Sequence, residues 1–210
     1  MKKKPGRPSD HAKREAIIEA ASARFFESGF AATSIEQVAA DAGVSKVTIY
    51  NHFGDKRALF GAAVNLECQK MRGHFSIEDM PAGSVRDRLR MIGRAMVDFL
   101  SRPEIIQFDR RISAETETNP DIGAAFLEAG PRRMMADFSA FLRHAIVIGD
   151  LDIEDPELAG DQFVSMCKGM GDLERRFGAP QTPEKSDERI NGAVEVFLAA
   201  YAVRDRAGLD

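Results

Sequence analysis

Tryptophan is absent from this 210-residue chain, and tyrosine and cysteine occur only twice each. The two cysteines, Cys68 and Cys167, lie far apart with no CxxC spacing, which argues against a disulfide-stapled scaffold or a thiol zinc site. They read as buried reduced thiols of a cytosolic protein, with a redox-sensing pair as the alternative. Long hydrophobic runs are also missing. Nothing approaches the roughly 18 apolar residues needed to span a bilayer, and the opening MKKKPGRPSD has no apolar segment to act as a secretory signal. The expectation is a cytoplasmic protein with no membrane partner. Histidine is scarce, and His11, His52, His74 and His144 are too scattered to suggest a metal cluster or a triad. No GxxxxGK, HExxH or GxSxG motif occurs, nor a GxGxxG turn after a strand. The acidic stretch Asp150, Asp152, Glu154, Asp155 lacks the glycine and terminal glutamate of a calcium loop, so it reads as a solvated turn. These absences point away from an enzyme and call for neither cofactor nor metal.

What is present is the composition of a globular protein, with 44% hydrophobic and 30% charged residues. The length suits one domain, or a small domain fused to a medium one. The net charge of −4 hides a division. Up to Val64, ten Lys and Arg meet seven Asp and Glu, whereas the remainder carries nineteen against twenty-six. A basic front and an acidic body suit a protein that offers one end to phosphate. The arm over 1–9, KKKPGRP at its centre, stays extended because of its Pro and Gly. It can lie in a minor groove or remain a solvated tail.

Proline and glycine punctuate a chain that otherwise reads as helix. Helix one is expected from Asp10 to Ser28, stopped by Gly29. A fourth helix, capped by Asp55, runs to about Met71 or Arg72, and SIEDMPAGS, over 76–84, reads as a linker. A fifth spans about Val85 to Arg102. Later helices are expected over Glu104 to Ala114, from Pro120, over Arg132 to Ile148, from Pro156 to Arg176, and from Lys185 to Arg204. No period-two strand signal competes, so the expected fold is all-α, with three helices and a connector in front and about five behind.

The densest signal lies in TSIEQVAADAGVSKVTIYNHF, from Thr33 to Phe53. Thr33 and Glu36 have capping-box spacing, and Ile35, Val38 and Ala39 form an inner stripe. Gly43 sits where a left-handed residue turns the chain. Ser45 can cap a second helix whose Val44 and Ile49 tuck beneath the first. That leaves Lys46, Val47, Thr48, Tyr50, Asn51 and His52 facing outward. Donors, a cation and a small apolar group fit the acceptors and thymine methyls of a major groove. The alternative is an ordinary helical hairpin.

These residues resemble the DNA-binding domain of the TetR family of bacterial transcriptional regulators. REAIIEAASARFFESGF (from Arg14) and GDKRALF (from Gly54) extend the likeness on both sides of the motif. The stretch from Asn119 to Met170 is similar, more loosely, to an AefR-like subgroup. The resemblance implies a basic arm over 1–9, a DNA-binding domain over 10–72 with its motif at about 33–53, and a regulatory and dimerisation domain over 84–206. It implies DNA contacts from Thr33, Ser45, Lys46, Val47, Thr48, Tyr50, Asn51, His52 and Lys56. Tyr50 and Lys56 are expected on phosphates, and Thr48 and Lys46 on base edges.

Two long helices near the C-terminus carry apolar seams: Phe163, Met166, Met170 and Leu173 on one, and Ile190, Val194, Phe197 and Tyr201 on the other. Such seams fit paired helices, either within one subunit or between two. The resemblance implies a homodimer joined there, which would let two reading helices meet two half-sites of a double-stranded operator. It also implies a cavity for a small-molecule effector in the C-terminal half. Candidate lining residues are Met96, Phe99, Phe108, Ile112, Phe126, Met134, Phe138, Phe141 and Met170, although Met and Phe at helical spacing also make ordinary core. The expected function is that of a ligand-responsive repressor binding a palindromic operator, with a nonspecific architectural DNA-binding protein as the rival.

Overall fold

A computed structural model describes residues 10–72, 83–179 and 182–203. The basic arm over 1–9, and the linker over 76–84 except Gly83 and Ser84, lie outside them. Ten helices follow in order: α1 Asp10–Ala32, α2 Ile35–Asp41, α3 Lys46–Phe53, α4 Lys56–Arg72, α5 Val85–Ser101, α6 Pro103–Thr118, α7 Pro120–Ala129, α8 Pro131–Val147, α9 Pro156–Arg176 and α10 Pro183–Tyr201. The all-α expectation holds among the described residues, where β structure is limited to a single bridge between Leu151 and Ala202. Among the described residues, six helices follow the connector α4, against about five expected.

The starts of five helices follow directly from proline. Pro103, Pro120, Pro131, Pro156 and Pro183 each open a helix, where a missing N–H costs nothing. Asp155 and Thr182 cap α9 and α10 with side-chain oxygens. Ser84 and Asp87 form a reciprocal capping box on α5.

The chain forms two compact units that do not follow its linear order. Among the described residues, the first takes 10–68 together with Gln107–Gly130, and the second takes 69–72, 83–106, 131–179 and 182–203. A boundary drawn at the linker therefore separates most of α6 and all of α7 from the unit they belong to. The first unit is held by aromatic side chains. Phe25 and Phe60 meet edge to face with centroids 5.2 Å apart, and Phe108 of α6 stacks on Phe26 at 4.0 Å. Phe126 of α7 closes on Phe108 at 5.7 Å. Burying each such ring is worth about 1.5–3 kcal/mol.

The second unit has its own core, drawn from α5, α8, α9 and α10. Leu89, Ile92 and Met96 of α5 meet Phe138 and Phe141 of α8, Phe163 of α9, and Val194 and Phe197 of α10. Gly93 lets α10 approach α5 closely, since a Cβ there would stand 3.0 Å from the Ile190 side chain. Cys167 lies in this core, and burial pushes its thiol up to about 12, opposed by the nearby Arg189 charge. Both cysteines are buried, and neither forms a disulfide.

Candidate nucleic-acid interface

The turn between α2 and α3 is built by backbone groups. Gly43 takes φ +64°, a left-handed conformation that a residue with a Cβ adopts at a cost. Gly43 N–H then donates to the Ala40 carbonyl, and Val44 N–H to the Ala39 carbonyl. This pair of bonds is a Schellman ending, which satisfies carbonyls that the helix leaves open. Ser45 caps α3 as expected, its hydroxyl accepting from Thr48 N–H at 3.1 Å. Asp55 accepts from Ala58 N–H at 2.7 Å and starts α4.

The cap of α2 corrects the sequence expectation. Ser34, not Thr33, is the N-cap, and its reciprocal partner is Gln37 rather than Glu36. Thr33 is only 2% exposed. Its hydroxyl donates within the protein, to the Gly29 carbonyl at 2.7 Å and the Arg24 carbonyl at 3.2 Å. As a DNA contact through its side chain, Thr33 is therefore withdrawn; it anchors the entry to α2. Glu36 instead pairs with Lys46 at 3.3 Å. Its own backbone N–H and the Lys46 ammonium hold that carboxyl below its usual range. Both partners are well exposed, so the pair is weak and leaves Lys46 able to exchange Glu36 for a phosphate or base.

One side of α3 is buried through Ile49 and half-buried Val44 just before it. The opposite side presents Lys46, Val47, Tyr50 and Asn51 to solvent, with Val47 61% exposed. Thr48 is half-buried, its hydroxyl 2.9 Å from that of Ser45. His52 turns back toward α1, with Nε2 3.4 Å from Asp10 and little of its side chain exposed. It belongs to the flank of this face more than to its centre. Lys56 opens α4 with its ammonium over the Phe30 ring at 4.4 Å. Burial lowers its pKa, and the Glu115 carboxylate opposes that shift. At a helix N-terminus the backbone adds its own attraction for an anion.

The residues expected around an effector are divided between the two units. Phe108, Ile112 and Phe126 belong to the first unit, where Phe108 and Ile112 are buried. Met96, Phe138 and Phe141 are buried in the core of the second unit, Phe99 and Met134 lie half-buried at its edge, and Met170 is exposed. A cleft of about 710 Å³ does exist in the second unit, between α5 and α10. Phe99, Met91 and Ile190 give it apolar surface, and Arg90, Arg94 and Asp187 line it with charge. Sequence reasoning missed it because its residues sit on the charged side of α5, which reads as a solvated face.

The expected dimer seam divides as well. Phe163, Ile190, Val194 and Phe197 are buried within a single subunit, so they offer no surface to a second copy. Met166 and Tyr201 are half-buried against the same core, and the Tyr201 hydroxyl donates to Gln162. Met170 and Leu173 do face outward, as does Phe177 at 85% exposure.

Comparison with known proteins meets this geometry from outside. Residues 17–63 match the model of bacterial regulatory proteins of the tetR family, and 87–203 match that of the AefR-like transcriptional repressor C-terminal domain. The uncharacterized HTH-type transcriptional regulator YerO of Bacillus subtilis (strain 168) is 33% identical over 100 residues, 45% of this chain and 34% of that protein. The chain thus spans about a third of the length of the curated relatives it matches. Among solved structures, a protein described as a TetR-family regulator from Mesorhizobium loti MAFF303099 superposes with TM-score 0.77 at 28% identity, over 94% of this chain and all of that one. The flavonoid-responsive regulator FrrA gives TM-score 0.73 at 31% identity, over 93% of this chain and 100% of its own. The protein belongs to the TetR family of transcriptional regulators, a non-enzymatic family, and carries an AefR-like C-terminal domain.

Proposed function

We propose that the protein is a cytoplasmic, ligand-responsive repressor that binds a palindromic double-stranded operator as a homodimer. The observation that carries this reading is the division of α3. Ile49 is fully buried, while Lys46, Val47, Tyr50 and Asn51 are exposed on a helix fixed at both ends by Ser45 and Gly54. Such a helix reads only a few base pairs, so specificity on a genome calls for two copies on two half-sites. Met170, Leu173 and Phe177 supply an outward apolar stripe on α9 for the second copy. A nonspecific architectural role needs no such ordered reading helix.

The effector is a small, largely apolar or aromatic compound. The α5–α10 cleft suits it, with Phe99 and Met91 for a ring and Arg90 and Arg94 for hydroxyl or carboxylate groups. Flavonoids come first among classes to try, because a relative 31% identical responds to them. Footprinting on DNA flanking the protein's own gene tests the central claim, with a two-fold symmetric protected site as the expected result. Protection that spreads evenly over any fragment would favour the architectural role. Release of the site by a flavonoid panel tests the ligand class separately, and failure to release removes flavonoids while leaving operator binding intact.

A further inference from the structure

We propose that Glu115 and Arg111 of α6 are positioning residues for DNA recognition, holding the backbone at the break in α1 so that α2 and α3 meet a duplex in one pose. Gly29 interrupts α1 with φ +85° and ψ 178°. Backbone groups on both sides of that break find partners on α6. The Phe26 carbonyl accepts from Arg111 Nη1 at 3.0 Å, and Ala31 N–H donates to Glu115 Oε2 at 3.0 Å. Glycine is what admits the carboxylate, since a Cβ at residue 29 would stand 2.4 Å from Glu115 Oε1.

The face of α6 that does this is continuous. Phe108, Arg111 and Glu115 follow at intervals of three and four, so they share one side of the helix. Phe108 is the ring stacked on Phe26, and all of these groups lie within the same compact unit as the reading helix. Downstream of Ala31 the chain has no slack. Thr33 bonds back to the Gly29 carbonyl at 2.7 Å, and Ser34 already caps α2. At its other end α2 is tied to α1 by Arg24 and Asp41. Glu115 therefore fixes the short bridge from which α2 and then α3 are hung. Both α6 side chains are half-buried and act through the backbone they hold.

This role rests on the sequence-specific reading above, and one experiment separates the two. Duplexes are selected from a random pool with the wild-type protein, and affinities are then measured for a selected duplex and for a random one at fixed salt. Glu115→Gln keeps an oxygen for Ala31 N–H without the charge, whereas Glu115→Asp keeps the charge but withdraws it by one methylene. The expected result is that Glu115→Gln stays within about threefold of wild type on the selected duplex, while Glu115→Asp and Arg111→Ala each lose about tenfold or more there and much less on the random one. Helical circular dichroism and melting confirm that each variant is folded at the assay temperature. The reverse order, with Asp like wild type and Gln weakened, would assign the effect to charge and overturn the positioning role. Equal losses on both duplexes, or no loss in any variant, would overturn it too. A wild-type protein that enriches nothing from the pool would bring down the sequence-specific reading itself, and this role with it.

Discussion

The reading helix and the last helix of this protein spend their residues in opposite ways. Over eight residues α3 buries Ile49 alone, and caps at both ends hold it. Over nineteen residues α10 buries Ile190, Ala193, Val194, Phe197 and Leu198 in one core. In α3, then, the side chains left over by packing are the ones available for chemistry. In α10 the side chains that stand out in the sequence are already committed to the subunit's own interior. Substitution on the first should change binding with little change in stability, and substitution on the second should do the reverse.

The largest effect expected from that contrast is on Phe163 of α9, which packs in the same core as α10. It is fully buried, 5.4 Å from Phe138 and 5.3 Å from Phe197 by ring centroids. Phe163→Ala should cost about 3–5 kcal/mol in urea unfolding, a large part of the roughly 5–15 kcal/mol typical of a domain. Because its neighbours belong to its own subunit, the loss should not depend on protein concentration. A penalty that vanished on dilution would return Phe163 to the dimer seam.

Next comes the outward half of that seam. Leu173 is 47% exposed and Met170 64%. Placing a carboxylate in an apolar interface leaves it unpaired and desolvated, at a cost of a few kcal/mol. The double variant Met170→Asp, Leu173→Asp should move the protein from dimer to monomer in sedimentation at micromolar concentration. The monomer should keep its helical signal. An unchanged sedimentation coefficient would place the interface elsewhere, and the proposed operator symmetry would need another source.

These two expectations mark where the sequence was legible. Caps and turns are local, so Ser45, Gly43, Asp55 and the helix-opening Pro120 and Pro156 could be read from spacing alone, whereas α6, α8 and α10 begin one or two residues earlier than expected, on Pro103, Pro131 and Pro183. Even there a one-residue ambiguity survived. Thr33 with Glu36 and Ser34 with Gln37 have identical spacing, and only the burial of Thr33 decides between them. Periodicity reports that a stripe is buried but not what covers it, which is why Phe163 and Met170 fell into one seam. Nor does it report which unit a helix joins. Phe108 sits far along the chain yet packs with Phe26 of α1 and Phe60 of α4, and Phe126 packs on Phe108 in turn, a pairing that no local pattern encodes. The α5–α10 cleft was hidden for a further reason: charged residues that line a recess look the same in sequence as charged residues in open water.

A smaller effect tests the corrected cap. Ser34 accepts from Gln37 N–H at 3.2 Å, and Gln37 reaches back to the Ser34 N–H at 2.8 Å. Ser34→Ala should lower stability by about 1 kcal/mol, and Glu36→Ala, which breaks no cap, by less. Thermal melts of the two variants side by side give the comparison. A larger loss at Glu36 would restore the box one residue upstream.

The smallest effect is a pH dependence at the tie between α1 and α2. Arg24 donates to both oxygens of Asp41, with Nη2 to Oδ1 at 3.0 Å. Those hydrogen bonds chiefly hold the Asp41 carboxyl below its ordinary range; partial burial opposes them and the arginine charge reinforces them. The folded state thus binds this proton more weakly than the unfolded chain, whose aspartates titrate near about 3.9. The tie's contribution is complete above that value and is lost as pH falls through the lower folded one. The difference in urea midpoint between wild type and Asp41→Asn should accordingly stay flat from about pH 7 to about pH 5, then close below about pH 4. Because both side chains are partly exposed, added salt should shrink the plateau without moving the pH at which it closes by much. A gap that widened on acidification would mean the folded carboxyl is raised instead, and that Arg24 does not hold the end of α2.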